Sequence, residues 1–120
     1  MSLDADALRQ LLMAMPGASG EALPSARGVT LFKVMGKMFA ILNDRKSRYV
    51  IVKCDPHLID ILKEQYTGVA HRSHLDKRFW IAVDLGADVP DEVIEGLVGG
   101  SYDLIRGGLT KKQQAELAAL

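Results

Sequence analysis

Apolar and polar positions alternate along this chain with two periods, and the switches between them mark its elements. Leu8, Leu11, Leu12 and Met15 fall at i, i+3, i+4 and i+7. That spacing predicts an amphipathic helix over residues 3–15, with Asp4 and Asp6 at the positive end of its dipole. Pro16-Gly17 stops it, and a loop rich in small residues runs to Gly28. The period then becomes two. Val29–Val34, Lys37–Leu42 and Arg48–Lys53 read as strands joined by a tight turn at Gly36 and a polar loop over Asn43–Ser47. Three such runs with short connections predict an antiparallel meander.

The helical period returns at Asp55-Pro56, an N-cap followed by proline in the first turn. Leu58, Ile59, Ile61, Leu62 and Tyr66 supply its apolar face, and Gly68 is placed just past its end. Val69–His74 reads as a short strand and turn. Lys77–Leu85 reads as a strand with Phe79, Ile81, Val83 and Leu85 on one face and Trp80 and Ala82 on the other. Pro90 opens a long helix that ends at Gly107-Gly108. Gly96, Gly99 and Gly100 each weaken it by about 1 kcal/mol relative to alanine, and close packing on the sheet is the preferred reason, a kink the other. Thr110-Lys111-Lys112-Gln113 reads as a capping box for a terminal helix. The order α-β-β-β-α-β-β-α-α predicts an α+β fold: an antiparallel sheet with helices gathered on one face.

Length changes this picture little: 120 residues suit one domain spanning 1–120. Charge changes it more. Fifteen basic and fifteen acidic residues cancel, but they are not evenly spread. Residues 27–53 carry Arg27, Lys33, Lys37, Arg45, Lys46, Arg48 and Lys53 against Asp44 alone. Residues 84–95 carry Asp84, Asp88, Asp91, Glu92 and Glu95 and no cation. A neutral total therefore conceals a basic patch and an acidic one. One cysteine, no apolar run near the roughly 18 residues of a membrane helix, and no basic-then-apolar leader lead us to expect a cytoplasmic protein.

Candidate chemistry is sparse. Arg45, Lys46 and Arg48 cluster at one hairpin tip, and His71, Arg72, His74, Lys77 and Arg78 near another. Basic hairpins can straddle nucleic acid and neutralise phosphates, and charged loops and edge lysines are also ordinary surface. Trp80 is either a stacking platform on an open sheet face or a packing residue. His71 and His74 stand at i and i+3, which in a strand sends them to opposite faces, and no third zinc ligand is near. The acids over 84–95 invite comparison with a weak iron-binding ridge, but a helix dipole accounts for Asp91 and Glu92. Cys54 precedes a helix start, which favours a thiolate, whereas free cysteine is usually buried and inert. Ser101 lies inside a helix pattern and not in a nucleophile elbow. No catalytic constellation, cofactor motif or metal pattern is found in the sequence.

Three segments carry a resemblance. Leu31-Phe32-Lys33-Val34-Met35-Gly36-Lys37-Met38-Phe39-Ala40 resembles a hairpin signature of the MmcQ/YjbR family of small bacterial proteins. His74-Leu75-Asp76-Lys77-Arg78-Phe79-Trp80 is similar to its His-Met-Asn-Lys run closing on Trp, with Leu75-Asp76 standing for Met-Asn. Val89-Pro90-Asp91-Glu92 followed by Ser101-Tyr102-Asp103-Leu104 is like its Ser-Tyr-x-Leu helix. The likeness spans roughly residues 4–115. It implies a fold similar to the frataxin homologue CyaY, an α/β sandwich, and a DNA-binding role through two hairpins acting as a double wing.

The sequence therefore leads us to expect a non-enzymatic DNA-binding protein without cofactor or metal. Lys37, Arg45, Lys46, Arg48, Arg72, Lys77 and Arg78 are its expected phosphate contacts. The alternatives are a protein–protein adaptor and a small-ligand-binding domain.

Overall fold

A computed structural model describes residues 3–120. The elements run α1 (Ala5–Met13), β1 (Ala18–Ala22), β2 (Val29–Val34), β3 (Lys37–Asn43), β4 (Tyr49–Lys53), α2 (Pro56–Gln65), β5 (Val69–Ala70), β6 (Trp80–Asp84), α3 (Asp91–Gly107) and α4 (Lys111–Ala118). All six strands join one antiparallel sheet in the order β1-β2-β3-β4-β6-β5. The α+β class with helices on one side of the sheet is thus as the sequence predicts.

Most boundaries follow local chemistry. Asp4 caps α1 by accepting from the Ala7 N–H, and Asp55 caps α2 by accepting from the His57 N–H. Thr110 and Gln113 form the capping box of α4. Met35 and Gly36, both at positive φ, make the two-residue turn between β2 and β3, with Val34 opposite Lys37. Only Met35 among non-glycine residues described adopts positive φ.

β1 is the element that the sequence hides. Ala18-Ser19-Gly20-Glu21-Ala22 has almost no apolar alternation because it is an edge strand exposed along most of its length. It is held by its ladder to β2, Ala18 opposite Val34 through Ala22 opposite Thr30.

The core lies between the sheet and the helices. Phe32, Val34, Phe39, Ala40, Leu42, Val50, Val52, Ile81 and Val83 face it from the strands. α1 contributes Leu8 and Leu12, α2 Ile59 and Leu62, α3 Ile94, Leu97, Val98 and Tyr102, and α4 Leu117. A β-bulge organises its centre. Phe32 pairs with Ala40 and Lys33 with Met38, so Phe39 has no opposite number, and Phe39 and Ala40 both enter the core. Ser101 satisfies the backbone there: its buried hydroxyl donates to the Phe39 carbonyl at 2.6 Å and accepts from the Lys53 N–H at 2.9 Å. Tyr102, one residue on, meets the Phe39 ring edge-on at 5.4 Å and donates to the Pro16 carbonyl. The Ser-Tyr pair of α3 is thus a clasp between helix and sheet.

Three expectations need correction. β6 begins at Trp80, not Lys77; Phe79 stands before the strand, 37% exposed, while Lys77 and Arg78 lie in the preceding turn. Leu58 and Ile61 of α2 are exposed and are not part of its buried stripe. The glycines of α3 do not mark close packing: a Cβ at Gly96, Gly99 or Gly100 would meet nothing within 4 Å. Close approach occurs instead at Gly68, where a Cβ would come within 2.9 Å of the Ala87 side chain.

Candidate nucleic-acid interface

With every helix packed into the one core, no described helix covers the other side of the sheet. Its midline is a register row: Glu21, Leu31, Ile41, Ile51, Ala82 and Ala70 stand opposite one another across all six strands. Ile51 and Ala82 are buried, yet they do not belong to the core cluster. One row toward the β3–β4 loop lie Asn43, Tyr49 and Asp84. One row the other way Lys53 stands opposite Trp80. The continuous apolar runs Val50-Ile51-Val52 and Ile81-Ala82-Val83 were the sequence signal for this second apolar face, though alternation in the remaining strands obscured it.

The expected phosphate contacts divide between the two ends of the sheet. At the β3–β4 end, Lys46, Arg48 and Arg72 line one concavity of about 260 Å³, together with Asp84 and the backbone at Gly86. Arg45, in the same connection, does not line this concavity; its stem lies against Gly28, which has φ +84° and no room for a Cβ. Arg72 comes from the far side of β5. Its guanidinium reaches back along the helix-free face to Asp84 at 3.0 Å and lies over the Tyr49 ring, 5.3 Å from its centroid. Arg48 also borders Asp4, Asp6 and Asp44 on the α1 side.

At the other end, Lys77 and Arg78 face α2 across a concavity of about 290 Å³ that also takes Lys63 and Asp60. Lys63 was not among the expected contacts because it sits in the last turn of a helix and not in a hairpin. Lys37 stands apart, at the β2–β3 turn. Lys37, Arg45, Lys46, Arg48 and Lys77 form no ion pair among the described residues, whereas Arg72 and Arg78 do. Asp76 accepts from both the Nε and an Nη of Arg78, the shorter contact 2.7 Å. Those hydrogen bonds hold the Asp76 carboxyl at a pKa of about 2. Asp76 therefore occupies Arg78 and reduces its value as a phosphate contact.

The remaining candidates have structural partners. Asp88 accepts from the Thr67 and Gly68 N–H groups, which lowers its pKa, and Asp91 accepts from the Leu3 N–H. Two more of the five clustered acids are placed without metal: Asp84 pairs with Arg72, and Glu92 lies in the first turn of α3. No three His, Cys, Asp or Glu side chains gather to hold a metal among the described residues. A ring nitrogen of His71 lies 2.7 Å from the Leu75 carbonyl. Cys54 is buried, and desolvation, reinforced by the charge of Asp55, raises its pKa. It is a neutral thiol, contrary to the activation a helix start would give. No helix described is long and apolar enough to cross a membrane.

These features define a small α+β protein whose sheet is covered by helices on one face and by no described helix on the other, with cations at both ends. The chain belongs to the YjbR family, whose model matches residues 13–104. It is 33% identical over 96 residues to the Escherichia coli (strain K12) protein named uncharacterized protein YjbR, covering 79% of this chain and 80% of that one. The uncharacterized protein YbdF of Escherichia coli O157:H7 is 27% identical over 85 residues, 70% of each chain. The crystal structure of Deinococcus radiodurans protein DR2400 superposes with a TM-score of 0.85 at 29% identity, covering 96% of this chain and 88% of that one. A Pseudomonas syringae protein shares the fold, with a TM-score of 0.72 at 18% identity over 82% of this chain and 96% of that one.

Proposed function

We propose that this protein binds DNA, without catalysing a reaction, through the basic hairpin end of its sheet. One observation carries the reading: Lys46 and Arg48 from the β3–β4 connection and Arg72 from beyond β5 converge on a single concavity. Convergence of cations from separate parts of the chain favours phosphate neutralisation, and two of the three, Lys46 and Arg48, form no ion pair among the described residues. Arg45, on the same β3–β4 connection with its stem against Gly28, contacts phosphates only if the DNA extends toward β2. Lys37, Lys77 and Arg78 contact phosphates only if the DNA reaches the opposite end of the sheet.

The test is fluorescence anisotropy with labelled DNA across a salt series. Micromolar affinity falling steeply with salt is expected. Lys46→Ala with Arg48→Ala should weaken binding and flatten the salt dependence by about two phosphates' worth. Absence of binding at low salt ends this reading.

A second reading, a protein-binding surface, is favoured by an apolar groove of about 220 Å³ between α2 and α3. Gly96 and Gly100 leave its floor open, and Leu58 and Leu104 stand exposed on its walls. A second copy of the chain is the partner that sedimentation equilibrium would detect, and Leu104→Asp should then return the dimer to monomer.

A further inference from the structure

We infer that the helix-free sheet face is a platform for single-stranded DNA, on which unpaired bases stack on Trp80 and on the Arg72 guanidinium that lies over Tyr49. The inference rests on the DNA-binding reading above and specifies the form of DNA.

The character of the face carries it. A duplex presents phosphates outward and hides the flat faces of its bases, so it has no use for an apolar surface. This face is apolar along its midline, where Leu31 and Ile41 keep part of their surface in water and the buried Ile51 continues the row in register on the next strand. Unpaired bases expose π-faces that favour such a surface over water, and they stack on aromatic rings whatever their sequence.

Its ends supply the stacking groups. Tyr49 pairs with Asp84 and Lys53 with Trp80, so the two aromatic rows are separated by four residues along the strands. At about 3.3 Å per residue that is about 13 Å. Sheets that carry aromatic side chains stack two or three bases in comparable space in single-strand recognition modules. The Tyr49 ring already holds the Arg72 guanidinium on its face, and a guanidinium plane is itself a surface on which a base stacks. Trp80 is partly exposed and stands beside Lys53.

Charge matches the same path. Lys46 and Arg48 lie past the Tyr49 row and Lys53 beside Trp80, so cations flank the apolar midline on both sides along the strands, where the phosphates of a nucleic-acid strand crossing it would fall. Glu21, at the β1 margin, pairs with Lys33 at 3.0 Å, and Asp84 pairs with Arg72, so the acids of the face are neutralised.

Trp80 is the only tryptophan of the chain, so the protein reports on its own site. A thymidine 12-mer, added to the unmodified protein at low salt, should quench Trp80 fluorescence with the same midpoint as anisotropy of the labelled oligomer. A duplex of equal length should bind at least about tenfold more weakly. Trp80→Ala and Tyr49→Ala should each reduce affinity for the 12-mer by about five- to a hundredfold and leave duplex affinity unchanged, with thermal melting showing that each variant folds. If Trp80→Ala does not fold, the quenching titration of the parent decides. Binding to the 12-mer without quenching, or a duplex preference, overturns the platform while leaving DNA binding in place. Failure to bind either form overturns both.

Discussion

The two faces of the sheet use the same kinds of side chain to different ends. On the helix side, Phe32, Leu42, Val50 and Val83 are wholly buried in the core shared with the helices, and even the irregular backbone of the bulge finds a partner in Ser101. On the other side, Ile41 and Leu31 keep part of their surface in water, and only Ile51 and Ala82 are closed off, with Arg72 reaching across toward Asp84. The difference teaches where stability and binding capacity reside. A face packed against helices contributes to folding and has nothing left to offer a ligand. A face covered by polar side chains contributes less to folding, and under the proposed DNA-binding role it exchanges that cover for a partner.

The largest break of this comparison is Phe32→Ala. Truncating a fully buried aromatic in a close-packed core should cost about 3–5 kcal/mol, whereas Ile41→Ala on the opposite face should cost under about 1.5 kcal/mol, because Ile41 is only partly removed from water. Urea denaturation of both variants measures the contrast, and equal losses would mean that the second face is also a structural core. Ser101→Ala should come next, at about 1–3 kcal/mol, since it strands the Phe39 carbonyl and the Lys53 N–H. A loss below the range would mean that water replaces the hydroxyl.

A gain is expected from Gly100→Ala. The position is helical, has no positive φ, and a Cβ there meets nothing within 4 Å. The variant should be more stable by about 0.4–1 kcal/mol through the unfolded chain, observed as a rise in Tm. A fall would reveal close packing after all. The smallest effect concerns the exposed Asp76–Arg78 pair. Its folded pKa of about 2 lies below the ordinary unfolded value of about 3.9. The pair's contribution is therefore present above pH of about 4 and lost as pH falls toward 2. Asp76→Asn should make stability less dependent on pH across that window in acid titrations followed by circular dichroism. By freeing Arg78, it should also strengthen DNA binding slightly at neutral pH if the strand reaches that end.

Elements with strong local signals were legible in the sequence. α2 has an N-cap and a proline, α4 a capping box, and the β2–β3 hairpin a glycine at its turn. β1 was not legible, because an exposed edge strand needs no apolar alternation and takes its hydrogen bonds from β2. The start of β6 was misplaced because Phe79 continues a period-two pattern that the chain leaves unused. For the candidate site, the cations were found individually, but their grouping was not. Arg72 and Lys77 are five residues apart, yet they serve opposite ends of the sheet, while Arg72 joins Lys46 and Arg48 from a distant segment.

The sequence by itself determined the class of fold and the family, because periodicity, caps and turn residues act within a few residues of one another. Tertiary structure alone decided which face Trp80 and Tyr49 share, which cations meet, and which are held by acids. Those outcomes depend on strand order and register. The crossover that places β6 between β4 and β5 brings Arg72 over Tyr49 and sets Lys53 beside Trp80, and no local pattern specifies it.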